Sequence, residues 1–555
     1  MNSGLLILLV SIGIYGLGYW LYGGFLRKLF GLDASRKTPA HTMNDGIDYV
    51  PTKPFVLFGH HFASIAGAGP IVGPILALEF GWAPVLAWLL IGCIFVGAMH
   101  DMAAMVLSIR HQGKSIASVI EDYTGFWGRQ LFLILCWATL ILVVAVFTDM
   151  VAKGFIASPP VATASLSFIL ISPIFGCLVY RKGVSLLVAS LIFVPLAFSF
   201  IYLGQLFPLD LGALFGLSDK AEYLTWMIIL IIYAAAASTL PVWLLLQPRD
   251  YLSSYLLYAM LFFGLLGIIF YNPEIQYPAY TGFFTESGKG LFPILFITVA
   301  CGACSGFHSL VASGTSAKQL DSELDCQPVG YGAMLVEGIV GVIALISVAY
   351  LANSEAGPAP VKFASGLAAF GEKLGIPATF GQTFVAMSVS TFLLTSLDTA
   401  TRLARFMFQE IFEPKSVSAS KEVACEKKSC GIVCLLKNMY VATIIVCVLS
   451  ILLALGAADN IWPVFGSVNQ LLAAMTLLVV SLWLIRRKTT PIIAILPLLF
   501  MFAVSGSGLF SFAAKVLTPK GALLGGLSIL ILFLSLVLIF LSILSIIKEY
   551  KKRTR

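Results

Sequence analysis

Fifteen apolar runs follow one another through the 555 residues, near 4–26, 55–79, 83–109, 129–152, 162–180, 184–206, 224–246, 250–271, 292–317, 329–352, 380–402, 438–457, 462–485, 491–513 and 522–547. A run of about 20 apolar residues is what an α-helix needs to cross the hydrocarbon of a bilayer. In lipid each backbone N–H and C=O must be satisfied inside the protein, so helices are the spanning form that long runs of this kind can take. The expected fold class is therefore an all-α polytopic membrane protein with about 15 transmembrane helices. Hydrophobic residues make up 59% of the chain and charged ones 11%, and the mean hydropathy is +0.97. The polar stretch from about Arg402 to Lys437 is far short of a typical soluble domain. The first run, Gly4 to Phe25, lacks a basic leader and a small-residue cleavage site, so it is expected to be a retained helix.

The basic residues test this count. With the loops numbered alternately, 27 Lys and Arg fall on one side and 7 on the other, which accounts for all 34. Cytoplasmic loops carry the excess of Lys and Arg, so the N-terminus is expected outside and the C-terminus inside. One misread helix in the middle would have inverted every later loop. The formal charge of +7 is thus a topology signal and does not point to nucleic acid. Ten cysteines are scattered without a disulfide framework. Cys425, Cys430 and Cys434 share one basic loop without CxxC spacing or a nearby histidine, so free thiols are expected there rather than a metal site.

Two runs are poor helices. The second holds Gly59-His60-His61-Phe62-Ala63-Ser64-Ile65-Ala66-Gly67-Ala68-Gly69-Pro70, and the ninth holds Cys301-Gly302-Ala303-Cys304-Ser305-Gly306-Phe307-His308. Interrupted membrane helices that expose backbone at mid-depth are how many secondary transporters build a substrate site. By parity the two run in opposite directions, which points to an inverted repeat with the site between them. Close packing through small residues explains Gly67 and Gly69 about as well as a break does. It does not explain two adjacent histidines.

Ionisable residues inside spans are costly and commonly mark ion or proton pathways. His60, His61, His100 and His308 all fall in the inner half of the bilayer, with Asp101, Glu337 and Asp398. Histidine titrates near neutrality, which suits a group that loads and unloads a proton. Taken singly, His308 reads as a packed core histidine, and Asp398 with Arg402 as an i,i+4 ion pair. Four histidines on three helices at similar depth favour function. A metal centre competes, but His60 and His61 point about 100° apart on a helix and no HExxH spacing occurs. Thr395 and Ser396 read first as helix–helix contacts, with a sodium site as the alternative.

The two interrupted stretches, together with Gly97-Ala98-Met99-His100-Asp101, the run from Leu240 to Leu252 around Gln247-Pro248-Arg249-Asp250, and Thr395-Ser396-Leu397-Asp398-Thr399-Ala400, resemble the carbon starvation protein A family. The resemblance spans residues 55 to 405. It implies a prokaryotic inner-membrane transporter of peptides or, in some members, of pyruvate driven by protons. It also implies a LeuT-like five-plus-five inverted-repeat core with extra helices. On that basis 1–54 is an N-terminal helix and cytoplasmic loop, 55–490 the core with inserted helices, and 491–555 two C-terminal helices and a basic tail. The resemblance makes Thr395 and Ser396 candidates for a sodium site.

The expected function is secondary import of a small carboxylate, coupled to H⁺, with Na⁺ as the alternative ion, no cofactor, and no enzymatic reaction. Gly59, His60, His61, Ser64, Gly67, Gly69, Gly302, Ser305, Gly306 and His308 are the candidate substrate residues. His100, Asp101, Glu337 and Asp398 are the candidate proton relay or gate. A channel and an intramembrane metalloenzyme are the competing classes.

Overall fold

The computed structural model describes residues 3–46, 49–241, 243–351, 357–413, 431–457, 461–514 and 522–554. Thirteen helices among them are long and apolar enough to cross a membrane. These are α1 Gly4–Phe30, α3 Trp82–Arg110, α4 Glu121–Ala157, α5 Pro159–Arg181, α6 Leu186–Leu206, α7 Asp219–Thr239, α8 Leu246–Tyr271, α10 Glu323–Ala349, α11 Ala378–Ile411, α12 Met439–Gly456, α13 Ile461–Arg486, α14 Ile492–Ala513 and α15 Ala522–Ile547. The other two of the fifteen expected runs are the two interrupted ones. The first, α2, is Pro54–Ile65 and Gly69–Phe80, bent by 45°. The second, α9, is Leu291–Thr298, Ala300–Ala303 and Gly306–Gly314. No strand is formed among the described residues beyond isolated bridges.

Local sequence explains the breaks. Gly67 turns its N–H back to the Ile65 carbonyl at 2.7 Å, and Pro70, which has no N–H to give, opens the second half of α2. In α9 the chain is extended at Cys304 and Ser305 before helix resumes at Gly306. The two helices lie side by side and antiparallel, as their ends show. The Thr52 N–H, just ahead of α2, donates to the Gln319 carbonyl beyond the end of α9, at 3.0 Å. At the other end Thr281, ahead of α9, donates to the Glu79 carbonyl at 2.8 Å.

Glycines set how closely these helices pass. A Cβ on Gly73 would lie 2.6 Å from the Thr298 carbonyl oxygen, and one on Gly69 would overlap the Cys301 side chain. Gly302 approaches Pro70 less closely, where a Cβ would be 3.3 Å from its Cα. Here the small-residue packing reading and the broken-helix reading both hold: the breaks expose backbone, and the glycines bring the two breaks together. Gly73→Ala is expected to lower stability by roughly 1–3 kcal/mol through overpacking. A Cβ on Gly13 of α1 meets nothing within 4 Å, so Gly13→Ala is the control. Equal thermal midpoints for the two variants in detergent would refute the close approach.

Burial separates interior from periphery. The apolar windows of α4, α10, α11 and α13 are between 83% and 94% buried, whereas those of α6 and α15 are 28% buried. Of the helices between 83 and 271, then, α4 belongs to the interior and α6 to its edge. The run expected at 224–246 ends at Thr239, because Leu240 precedes Pro241 and is extended. The next helix therefore starts at Leu246, four residues before the expected position. This places Arg249, expected in a loop, inside the first turn of α8.

Candidate functional site

The two breaks face a cavity of about 20 Å³, room for about one water molecule. Gly67, Gly69, Cys301, Ser305, His308 and Ser396 line it, together with Phe147 of α4 and Phe465 of α13. Ser396 Oγ is buried with no hydrogen-bond partner among the described residues. Its neighbour Thr395 is satisfied by its own helix, donating to the Thr391 carbonyl at 2.9 Å. Of the two sodium candidates, Ser396 is thus the one that lines the cavity with an unpartnered hydroxyl.

A chain of buried charge runs from this cavity. His308 Nδ1 is 2.9 Å from Asp101 Oδ2, and its Nε2 is 3.4 Å from Glu337 Oε2. Asp101 Oδ1 meets His100 Nδ1 at 2.8 Å. His100, Asp101 and Glu337 are fully buried and His308 nearly so. His308 Nδ1 is thus in hydrogen-bond range of Asp101, while its Nε2 makes only the longer contact to Glu337, neither of whose carboxyl oxygens has a hydrogen-bond partner among the described residues; one ionisable imidazole sits between two buried carboxyl groups. Three helices, α3, α9 and α10, supply this chain. His61 of α2 is not bonded to this chain; its Nδ1 lies 2.8 Å from Ser316 Oγ, just beyond α9.

Other candidate residues are placed elsewhere. His60 is only half buried and lies on the side of Asp250. Ser64 Oγ donates back to the His60 carbonyl at 2.8 Å. Gly59 faces the Tyr258 hydroxyl, and Gly306 packs against the backbone of Asn469 and Ala473. Gly302 accepts the Cys93 thiol through its carbonyl at 2.9 Å. None of these five is part of the cavity wall.

Asp398 belongs to a second cluster. It pairs with Arg249 and accepts from Tyr233, while Arg249 also holds Asp250 at 3.0 Å. The i,i+4 pairing of Asp398 with Arg402 does not form, because Arg402 donates to the Leu240 carbonyl instead, at 3.1 Å. Asp398 is likewise not bonded to the Asp101 chain. Its partner was hidden in sequence because Arg249 was counted with the loop.

Among the described residues no group of three or more His, Cys, Asp and Glu is arranged to hold a metal. Cys434 is disulfide-bonded, which corrects the free thiol expected there, while Cys425 and Cys430 lie outside the described residues. Two further residues were overlooked in the sequence, Asn469 and Gln470 of α13. Asn469 Oδ1 accepts the Phe307 N–H at 2.9 Å, and Gln470 donates to the Phe296 carbonyl at 2.6 Å. A signal existed: two adjacent amides inside an apolar span are as conspicuous as an intramembrane histidine.

Both ends of the α2–α9 pair are tied. At one end the Thr52 N–H donates to the Gln319 carbonyl at 3.0 Å, and at the other Lys289 binds Glu79 at 3.0 Å; Glu323 at the start of α10 binds Arg36 at 3.2 Å and Arg110 of α3 at 2.9 Å.

The profile of the family described as carbon starvation protein CstA matches residues 3–358 and 351–508. The chain belongs to the CstA family. Among CstA relatives, a peptide transporter of Bacillus subtilis (strain 168) is 32% identical over 95% of this chain and 94% of its own. The pyruvate/proton symporter BtsT of Escherichia coli (strain K12) is 32% identical over 88% of this chain and 78% of its own. Among solved structures, a manganese transporter of Eremococcus coleocola aligns over 91% of this chain and 98% of its own, at 11% identity and a TM-score of 0.49. The protein is thus a CstA-family membrane transporter and not an enzyme.

Proposed function

We propose that this transporter imports a small carboxylate nutrient, pyruvate or a short peptide, across a prokaryotic inner membrane in symport with protons. One observation carries the reading: His308 lines the cavity between the two breaks and at the same time bridges two buried carboxylates. A ligand in that cavity sits against the group whose charge balances Asp101 and Glu337. Binding and proton loading are then one event at one side chain. Backbone N–H groups at the start of a half-helix favour an anion, which supports a carboxylate over a cation. The Nε2 atoms of His61 and His100, buried without a hydrogen-bond partner among the described residues, supply two further ring nitrogens at which a proton can be held. The parity of basic loops supports an outside N-terminus and a cytoplasmic C-terminus.

A cavity with room for one water, tied at both ends, supports a closed form that must open to load. The sodium reading draws on the unpartnered Ser396 Oγ beside the Gly67 break. Purified protein in liposomes, offered pyruvate or di- and tripeptides, separates these readings when a pH gradient and a sodium gradient are imposed in turn. Accumulation of one substrate under the pH gradient alone is expected. Accumulation under the sodium gradient alone overturns proton coupling, and none under either overturns the substrate class.

A further inference from the structure

Helix α13 holds the broken helix α9 on both sides of its break. Gln470 binds the outer half through the Phe296 carbonyl, and Thr476 reaches the inner half through Ser309 Oγ at 2.9 Å. Gly466 lets the backbones touch, since a Cβ there would lie 2.1 Å from the Ile297 carbonyl oxygen. Between these contacts lies Asn469, fully buried one turn beyond Phe465.

Asn469 spans the break itself. Its Oδ1 takes the Phe307 N–H at 2.9 Å, and its Nδ2 lies 3.0 Å from Ser305 Oγ and 3.3 Å from Cys301 Sγ. Cys301, Ser305 and Phe307 all line the cavity. The Phe307 N–H is one of the free donors of a helix N-terminus, which an anion takes up readily. Ser396 lines the same cavity, 1% exposed, with its hydroxyl unpartnered among the described residues.

We infer that Asn469 is a positioning residue that keeps the carboxylate site closed when empty: its amide oxygen holds the Phe307 N–H that the substrate carboxylate takes on binding. This rests on the carboxylate reading above. An amide oxygen is neutral, so it satisfies the donor without the strength of an anion. Substrate carboxylate therefore displaces it. A carboxylate fixed at the same place would not be displaced.

Asn469→Asp tests this, because Asp is nearly the same shape and caps a helix at least as well as Asn. A purely structural cap predicts normal folding and normal uptake. Self-occupation predicts normal folding with KM for pyruvate and dialanine raised at least about tenfold. Asn469→Ala removes the competitor and is expected to lower KM by about threefold or more while lowering kcat. Gln470→Ala loosens the same helix pair away from the donor and is expected to reduce thermal stability with KM unmoved.

Proteoliposome uptake gives KM and kcat separately for each. A wild-type KM in Asn469→Asp overturns the inference. If Asn469→Asp does not fold, Asn469→Ala decides alone, and a raised KM there overturns it. Wild-type protein that transports neither probe overturns instead the carboxylate reading beneath it.

Discussion

Arg249→Met is expected to destabilise the folded protein by about 3–5 kcal/mol, the usual cost of removing one partner from a buried ion pair. Arg249 is fully buried on the first turn of α8 and holds Asp398 of α11, Asp250 beside it, the Tyr233 hydroxyl of α7 and the Leu394 carbonyl. Without it two carboxylates face each other with no cation between them, in a setting where a lone charge is costly. Asp398→Asn is expected to be milder, about 1.5–3 kcal/mol, because Arg249 keeps Asp250. In Arg249→Met/Asp398→Leu the orphaned charge is gone, so at least half of the loss should return. Thermal unfolding in detergent for the two single variants and the double decides it. Additive losses in the double would show that the pair is not a unit. The cluster also fixes the rotation of α11, where Ser396 lies two residues before Asp398, so uptake should fall along with stability.

The fold was legible to a large degree, because hydropathy and loop charge report on lipid, which constrains every span alike. All fifteen runs have a counterpart, and the two interrupted ones lie together and antiparallel. Partners across helices were not legible. His308 and Asp101 are 207 residues apart in sequence, and nothing in either local stretch says that they meet. Periodicity tells which face of a helix is apolar, but a span buried in a bundle is apolar all round. This is why Asn469, on the helix whose apolar window is 94% buried, carried no directional signal. Arg249 was missed for a different reason. A basic residue near a span end reads as a loop anchor, and only the early stop before Pro241 moves it inside. Local pairing also misled at Asp398, where an i,i+4 arginine stood ready but the long-range arginine won. A fully buried carboxylate needs a cation held in place, and Arg249 is fully buried beside it, whereas Arg402 turns to a carbonyl.

Glu337→Gln is expected to abolish substrate accumulation under a pH gradient, by about 100-fold or more, the usual scale for losing a positioned proton-transfer group. Exchange of labelled for unlabelled substrate at equilibrium should stay within about tenfold of wild type on the same scale. Exchange needs the cavity to open and close but no net proton movement. Glu337 is outside the cavity wall, so the substrate contacts survive; what is lost is a titratable carboxyl 3.4 Å from His308. His308→Gln is expected to be worse, losing both accumulation and exchange, because His308 itself lines the cavity. A neutral amide also cannot serve Asp101 and Glu337 at once as a charged donor. The difference between the two variants separates coupling from binding. Were Glu337→Gln to accumulate substrate like wild type, the buried chain would be a structural ion network and the proton would travel by another route. Were it to lose exchange as fully as His308→Gln, Glu337 would be holding the cavity together and not carrying charge.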